Sequence, residues 1–221
     1  MLQGADAVNK GTVVFDLDGT LADTAADLLA AANACLPRPV LGPDDALTAF
    51  LGGRAMLRLG YDRLGVAGDL DRDYARLLTI YAEAICVDSR LYPGASDAVE
   101  VLRSQGYATA ICTNKPEALA VELVRQLGIT HLFGALVGAD TLPVRKPDPA
   151  PYLLAVERAG GGPSLLIGDT ETDRNTGLAA GVPVVLVTFG PEGQGVARLR
   201  PDALLDRYED LPQLVDRLIG Q

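Results

Sequence analysis

The chain has 221 residues, a formal net charge of −10 and 48% hydrophobic residues, enough for a full core in one domain or in one domain carrying a large insertion. The acidic balance weighs against nucleic acid as a partner, since phosphate backbones are bound by basic surfaces. No run approaches the ~20 apolar residues of a membrane span, and the polar start MLQGADAVNK lacks the apolar centre of a secretory signal.

Three cysteines, Cys35, Cys86 and Cys112, form no CxxC pair, and their odd number argues against a disulfide framework. The expectation is a cytoplasmic protein with reduced core cysteines, no membrane partner and a loose stretch over its first ten residues. On so acidic a chain, a phosphate-bearing ligand would need a local positive site, which draws attention to isolated lysines and metal ligands.

Short apolar runs recur along the chain, at TVVF (12–15), ATAIC (108–112), ALV (135–137), LLI (165–167) and VVLV (184–187). Helical patterns follow them over 94–105, 115–127, 150–159 and 172–180, and glycines end several of these. Strands alternating with helices predict a doubly wound, Rossmann-like α/β core whose parallel sheet is covered on both faces. One interval breaks the alternation. From about Asp23 to Arg90 the patterns are helical throughout, far longer than a crossover requires. This predicts an inserted all-helical cap over 22–90, with the core formed by 1–21 and 91–221. Such an insert would act as a lid at the carboxyl edge of the sheet, where open parallel sheets bind ligands, with hinges near Ala22–Thr24 and Ser89–Pro93.

The stretch VVFDLDGTLADT places Asp16 and Asp18 just past the first apolar run. Asp-Gly after a strand often marks a hairpin, but the residues that follow have helical spacing. Two residues apart in an extended segment, Asp16 and Asp18 would point to one side. Close, half-buried carboxylates repel unless a proton or cation intervenes. Other apolar runs end in Thr113-Asn114-Lys115 and in GDTETD, which carries Asp169 and Asp173, while VRKPDP contributes Lys146 before a proline.

In a parallel sheet these carboxyl ends share one rim. Oxygen ligands without histidine or cysteine suit Mg²⁺, with Asp16, Asp18 and Asp169 as the candidate metal residues. Asp16 is the candidate nucleophile on phosphorus and Asp18 the candidate acid/base. Lys146, the Thr113 hydroxyl and the amides of the Gly19-Thr20 turn would stabilise phosphoryl charge, and the helix opening after Asn114 would favour an anion further. Lys115 is either a substrate contact or a solvated side chain. His131 and Cys112 read as structural, and the acidic run DLDRDY as an exposed helix start.

DLDGT (16–20), Thr113-Asn114, Lys146-Pro147 and GDTETD (168–173) resemble, in order, the four motifs of the haloacid dehalogenase superfamily of phosphohydrolases. The resemblance covers nearly the whole chain. It implies a nucleophile at Asp16, an acid/base at Asp18, a Mg²⁺ ligand at Asp169, a supporting acid at Asp173 and phosphate contacts from Thr113 and Lys146. It also implies a mobile cap. Asp18 favours a phosphatase, because dehalogenase members lack the second aspartate. TNKPEALA, GADTLPVRKPDPAPYLLA and LYPGASDAVEVLRSQGY look most like the phosphoglycolate phosphatases, which hydrolyse 2-phosphoglycolate to glycolate and phosphate.

The chain departs from that group at Gly52-Gly53-Arg54, where many members have Gly-Asn-Gly, and this makes Arg54 a candidate for the substrate carboxylate. The expected ligand is therefore a small phosphate ester. A sugar phosphate, pyrophosphate, or noncatalytic binding of a metal or anion are the alternatives.

Overall fold

A computed structural model describes residues 9–220 of the chain. Most of the expected loose amino terminus lies outside the described residues. At Asn9 and Lys10 the expectation fails. The Asn9 side chain donates to the Gly161 carbonyl at 3.1 Å and accepts from the Gly11 amide, and the Lys10 amide donates to the Gly106 carbonyl.

Contacts group the chain into two compact units, one formed by the residues up to Leu21 with those from Leu91 onward, the other by Ala22–Arg90. The first unit opens with β1 (Thr12–Phe15). The second contains β2 (Ala22–Asp23), α1 (Ala25–Cys35), α2 (Ala46–Phe50), α3 (Gly53–Leu64) and α4 (Leu70–Glu83), and β3 (Arg90–Leu91) pairs with β2 at its exit. The chain then runs through α5 (Ala95–Ser104), β4 (Ala108–Cys112), α6 (Glu117–Gln126), β5 (Ala135–Val137), α7 (Ala150–Ala159), β6 (Ser164–Gly168), α8 (Glu171–Ala180), β7 (Val184–Val187), β8 (Ala203–Leu205) and α9 (Leu211–Ile219).

The first unit is built on a parallel six-stranded sheet of order β5-β4-β1-β6-β7-β8. Its central strands are continuous apolar runs because both faces are covered. Val14, Ala110, Cys112 and Leu166 pack with Tyr152 and Ala155 of α7 on one face, and the alternate residues Val13, Phe15, Ile111, Leu165 and Ile167 are equally buried on the other. The chain winds outward from β1 to β5, then returns beside β1 and winds the other way. This reversal leaves a crevice at the carboxyl ends of β4, β1 and β6, where ligands settle in such sheets.

Two elements were not among those expected from the sequence. β8 is only three residues long, and α9 begins just after Asp210 with a proline near its start. β8 forms the far edge of the sheet, and α9 packs against α5 and β6.

The helices of the second unit pack on one another, α1 against α3 and α4. Asp27, nearly fully buried on α1, accepts hydrogen bonds from the amides of Val87, Asp88 and Ser89 and from the Ser89 hydroxyl. These four donors satisfy a charge that would be costly to bury alone, and they tie the exit of this unit to its first helix. Asp45 plays a similar part by accepting both prongs of the Arg63 guanidinium at 2.6 Å. The run 69–74 is less exposed than expected. Asp69 caps α4, but Asp73 is buried and accepts from Tyr61 and Arg72.

Candidate active site

Asp16 is the first residue past β1, and its carboxylate accepts from the Leu17 amide at 2.7 Å. The backbone then closes a turn, with the Leu21 amide donating to the Leu17 carbonyl. A second strand does follow the turn, but β2 is two residues long and pairs with β3 rather than with β1.

Among the described residues, the acidic group gathered tightly enough to hold a cation is Asp16, Asp169 and Asp173, with one ligand oxygen from each within 4.8 Å of the others. Asp18, expected among the metal ligands, is absent from this cluster, and its carboxylate accepts from Lys115 Nζ at 2.8 and 3.1 Å. Asp173 completes the cluster. It sits at the third position of α8, and its Oδ2 reaches back to the amide and hydroxyl of Thr170 and to the Asp169 amide, much as a capping-box acid does. Its Oδ1 accepts from Lys146 Nζ at 2.6 Å.

Lys146 bridges the cluster. Its ammonium lies 3.0 Å from Asp16 and 2.6 Å from Asp173, with a side chain only 1% exposed. The Asn114 side chain donates to the Lys146 carbonyl at 2.9 Å, fixing the backbone that delivers it. Burial alone would push Lys146 toward the neutral form, but Asp16 and Asp173 outweigh it and hold the ammonium charged well above the ordinary lysine range.

Burial raises the Asp16 carboxyl to about 6, with Lys146 opposing the rise and Asp173 adding to it. Burial, then Asp173 and Asp16, push Asp169 well above the usual carboxylate range. Its Oδ1 accepts from the Thr20 hydroxyl at 3.2 Å, while its Oδ2 is buried without a hydrogen-bond partner.

Gly19 lies against this carboxylate with φ of +79°, and any side chain there would overlap Asp169 Oδ2. Thr113 is buried at the end of β4, and its hydroxyl accepts from the Lys115 amide. Lys115 is itself buried, so the solvated alternative falls. The helix expected directly after Asn114 starts later, at Glu117, and the Glu117 amide is already taken by the Asp140 carboxylate at 2.7 Å.

A family model described as haloacid dehalogenase-like hydrolase matches residues 10–181. This chain belongs to the haloacid dehalogenase-like hydrolases. It is similar to the phosphoglycolate phosphatase of Mesorhizobium japonicum, with 38% identity over 222 residues, 96% of this chain and 98% of the relative. The phosphoglycolate phosphatase of Agrobacterium fabrum is 37% identical, covering 94% of both chains. A crystal structure described as a predicted phosphoglycolate phosphatase from Haemophilus somnus 129pt has a TM-score of 0.81 at 27% identity, covering 94% of this chain and 99% of the other.

In this hydrolase the first unit thus brings together Asp16, Asp18, Gly19, Thr20, Thr113, Asn114, Lys115, Lys146, Asp169 and Asp173. Arg54 belongs to the second unit, where it pairs with Asp71 at 2.7 Å and lies over the Tyr74 ring. No helix among the described residues is long and apolar enough to cross a membrane. The sequence reading missed Tyr208, whose buried hydroxyl donates to the Thr20 carbonyl at 2.8 Å, and Gly190, packed against Gly19. Neither sits in a local pattern that suggests a site.

Proposed function

We infer that this hydrolase is a cytoplasmic Mg²⁺-dependent phosphatase of small phosphate monoesters, with 2-phosphoglycolate as its substrate. In this reading 1–21 and 91–221 form the catalytic core and 22–90 the cap. The buried carboxylate cluster bridged by Lys146, with one Asp169 oxygen left unpartnered, carries the reading. A buried acceptor without a donor is costly, and hard oxygen donors without nitrogen or sulfur suit Mg²⁺. Asp16 and Asp169 would hold the ion, with Asp173 behind them, and once bound it would supply positive charge against the crowded carboxylates and the phosphate.

The chain's own residues account for the bond changes. An Asp16 oxygen attacks phosphorus, the bond to the ester oxygen breaks, and Asp18 gives that oxygen a proton. Asp18 then takes a proton from water, whose oxygen attacks the aspartyl phosphate and releases phosphate with the Asp16 carboxylate restored. Lys146, Thr113 and the Gly19-Thr20 amides stabilise charge on the phosphoryl oxygens. Lys115 orients Asp18, and Asn114 holds the backbone of Lys146. For the substrate carboxylate the candidate is Arg54, whose present partner Asp71 is largely exposed and so held by a pair of small net worth.

Ranking a panel of phosphate esters, sugar phosphates and pyrophosphate by kcat/KM tests the substrate. The expected order puts 2-phosphoglycolate first by roughly 100-fold or more. A sugar phosphate in first place would overturn the substrate but leave the phosphatase standing, and no cleavage of any ester would favour a noncatalytic binding module.

Ion binding should also appear in stability. Because the folded Asp16 carboxyl is raised to about 6, its contribution is full below the unfolded value near 4 and is lost as pH rises through 6. The bare protein should lose stability over that window. Millimolar Mg²⁺ should therefore raise Tm at pH 7.5 by roughly 5–10 °C and do little near pH 4. An equal Mg²⁺ shift at both pH values would contradict the assignment of these carboxylates.

A further inference from the structure

We propose that Tyr208 is a positioning residue that acts through Thr20 to hold Asp169 in its ion-facing orientation, an inference that rests on reading the carboxylate cluster as a cation site.

Tyr208 lies in the short turn Tyr208–Asp210 before α9, remote in sequence from every motif described above. It is fully buried, and its hydroxyl donates to the main-chain carbonyl of Thr20 at 2.8 Å. Thr20 is also fully buried, and its hydroxyl donates to Asp169 Oδ1 at 3.2 Å. The three groups form a chain from the carboxyl-terminal segment to one oxygen of Asp169. The other oxygen, Oδ2, has no hydrogen-bond partner. A carboxylate gripped on one side only presents its free side in a defined direction, as an ion ligand must.

The far end of the chain is itself held. The Tyr208 ring packs on Phe189, with centroids 5.2 Å apart, and Phe189 packs on Tyr92 at 4.9 Å. The next residue, Gly190, closes on the same turn. A Cβ there would stand 2.9 Å from the Gly19 carbonyl oxygen and 3.2 Å from the Asp169 Cβ. The loop after β7 thus leaves the Gly19-Thr20 turn no room to withdraw. A phenylalanine would serve the ring packing equally well, so the hydroxyl is what needs explaining. A buried tyrosine oxygen must find a partner, and this one has the backbone of a site residue.

The test compares Tyr208→Phe with Tyr152→Phe. Tyr152 is equally buried and donates its hydroxyl to Ser164 at 2.8 Å, at the opposite end of β6 from Asp169. Mn²⁺ affinity, read by electron paramagnetic resonance titration without substrate, should weaken roughly 10-fold in Tyr208→Phe and stay at the wild-type value in Tyr152→Phe. Turnover should show kcat reduced by a similar factor with KM little changed. If Tyr208→Phe binds Mn²⁺ like wild type while Asp169→Asn loses it, the relay is refuted and the cation site survives. An equal loss in Tyr152→Phe also refutes the relay. Wild-type protein that binds Mn²⁺ no better than Asp169→Asn would overturn the cluster reading and the relay with it.

Discussion

Asp16→Asn is expected to lower kcat on every phosphate ester by roughly 10⁴-fold or more while the protein stays folded. The amide fills the same space as the carboxylate but cannot form the acyl phosphate. Its effect on stability should run the other way. The carboxyl of Asp16 is raised to about 6, first by burial, so at neutral pH its charge opposes folding. Removing that charge relieves Asp169 and Asp173, and Lys146 keeps its 2.6 Å partner Asp173. The ion-free variant should therefore melt at or above the wild-type temperature at pH 7.5, a separation of stability from activity that functional sites often show. Circular dichroism melts beside steady-state kinetics would check both halves. Turnover within tenfold of wild type would remove Asp16 from the nucleophile's role.

Lys146→Met is expected to damage both properties. Methionine matches the length of the lysine stem but leaves Asp16 and Asp173 facing one another without the ammonium now 3.0 and 2.6 Å away. Breaking a buried ion pair from one side costs about 3–5 kcal/mol, because the remaining charge is neither solvated nor paired. For a chain of this size that is a fall in Tm of roughly 10 °C. The cost should depend on pH. Below about pH 6 the Asp16 carboxyl takes up a proton and its repulsion with Asp173 ends, so the deficit should be smaller there than at pH 7.5. Activity should drop by at least roughly 100-fold through loss of charge stabilisation on the phosphoryl oxygens. A variant that melts within a degree or two of wild type at pH 7.5 would mean that the cluster does not depend on this ammonium.

The alternation of apolar runs and helical patterns was enough to read the parallel sheet, because strands buried on both faces are apolar at nearly every position, as at Val13, Val14, Leu165, Leu166 and Val184–Val187. The four motifs were legible for a related reason. Three of them adjoin the ends of β1, β4 and β6, so a local pattern places them at the rim, and the order of residue types, with Lys146 in the loop nine residues past β5, specifies the chemistry.

What the sequence could not decide was which side chain faces which. Asp18 gives its carboxylate to Lys115, while the first turn of α8 folds Asp173 back toward Lys146, beside Asp16 and Asp169. Tyr208 and Gly190 stayed invisible because their importance lies in partners about 170 to 190 positions away. Local periodicity reports which elements form. Only the packed sheet, by closing those distances, decides which carboxylates share a charge and which hydroxyl steadies them.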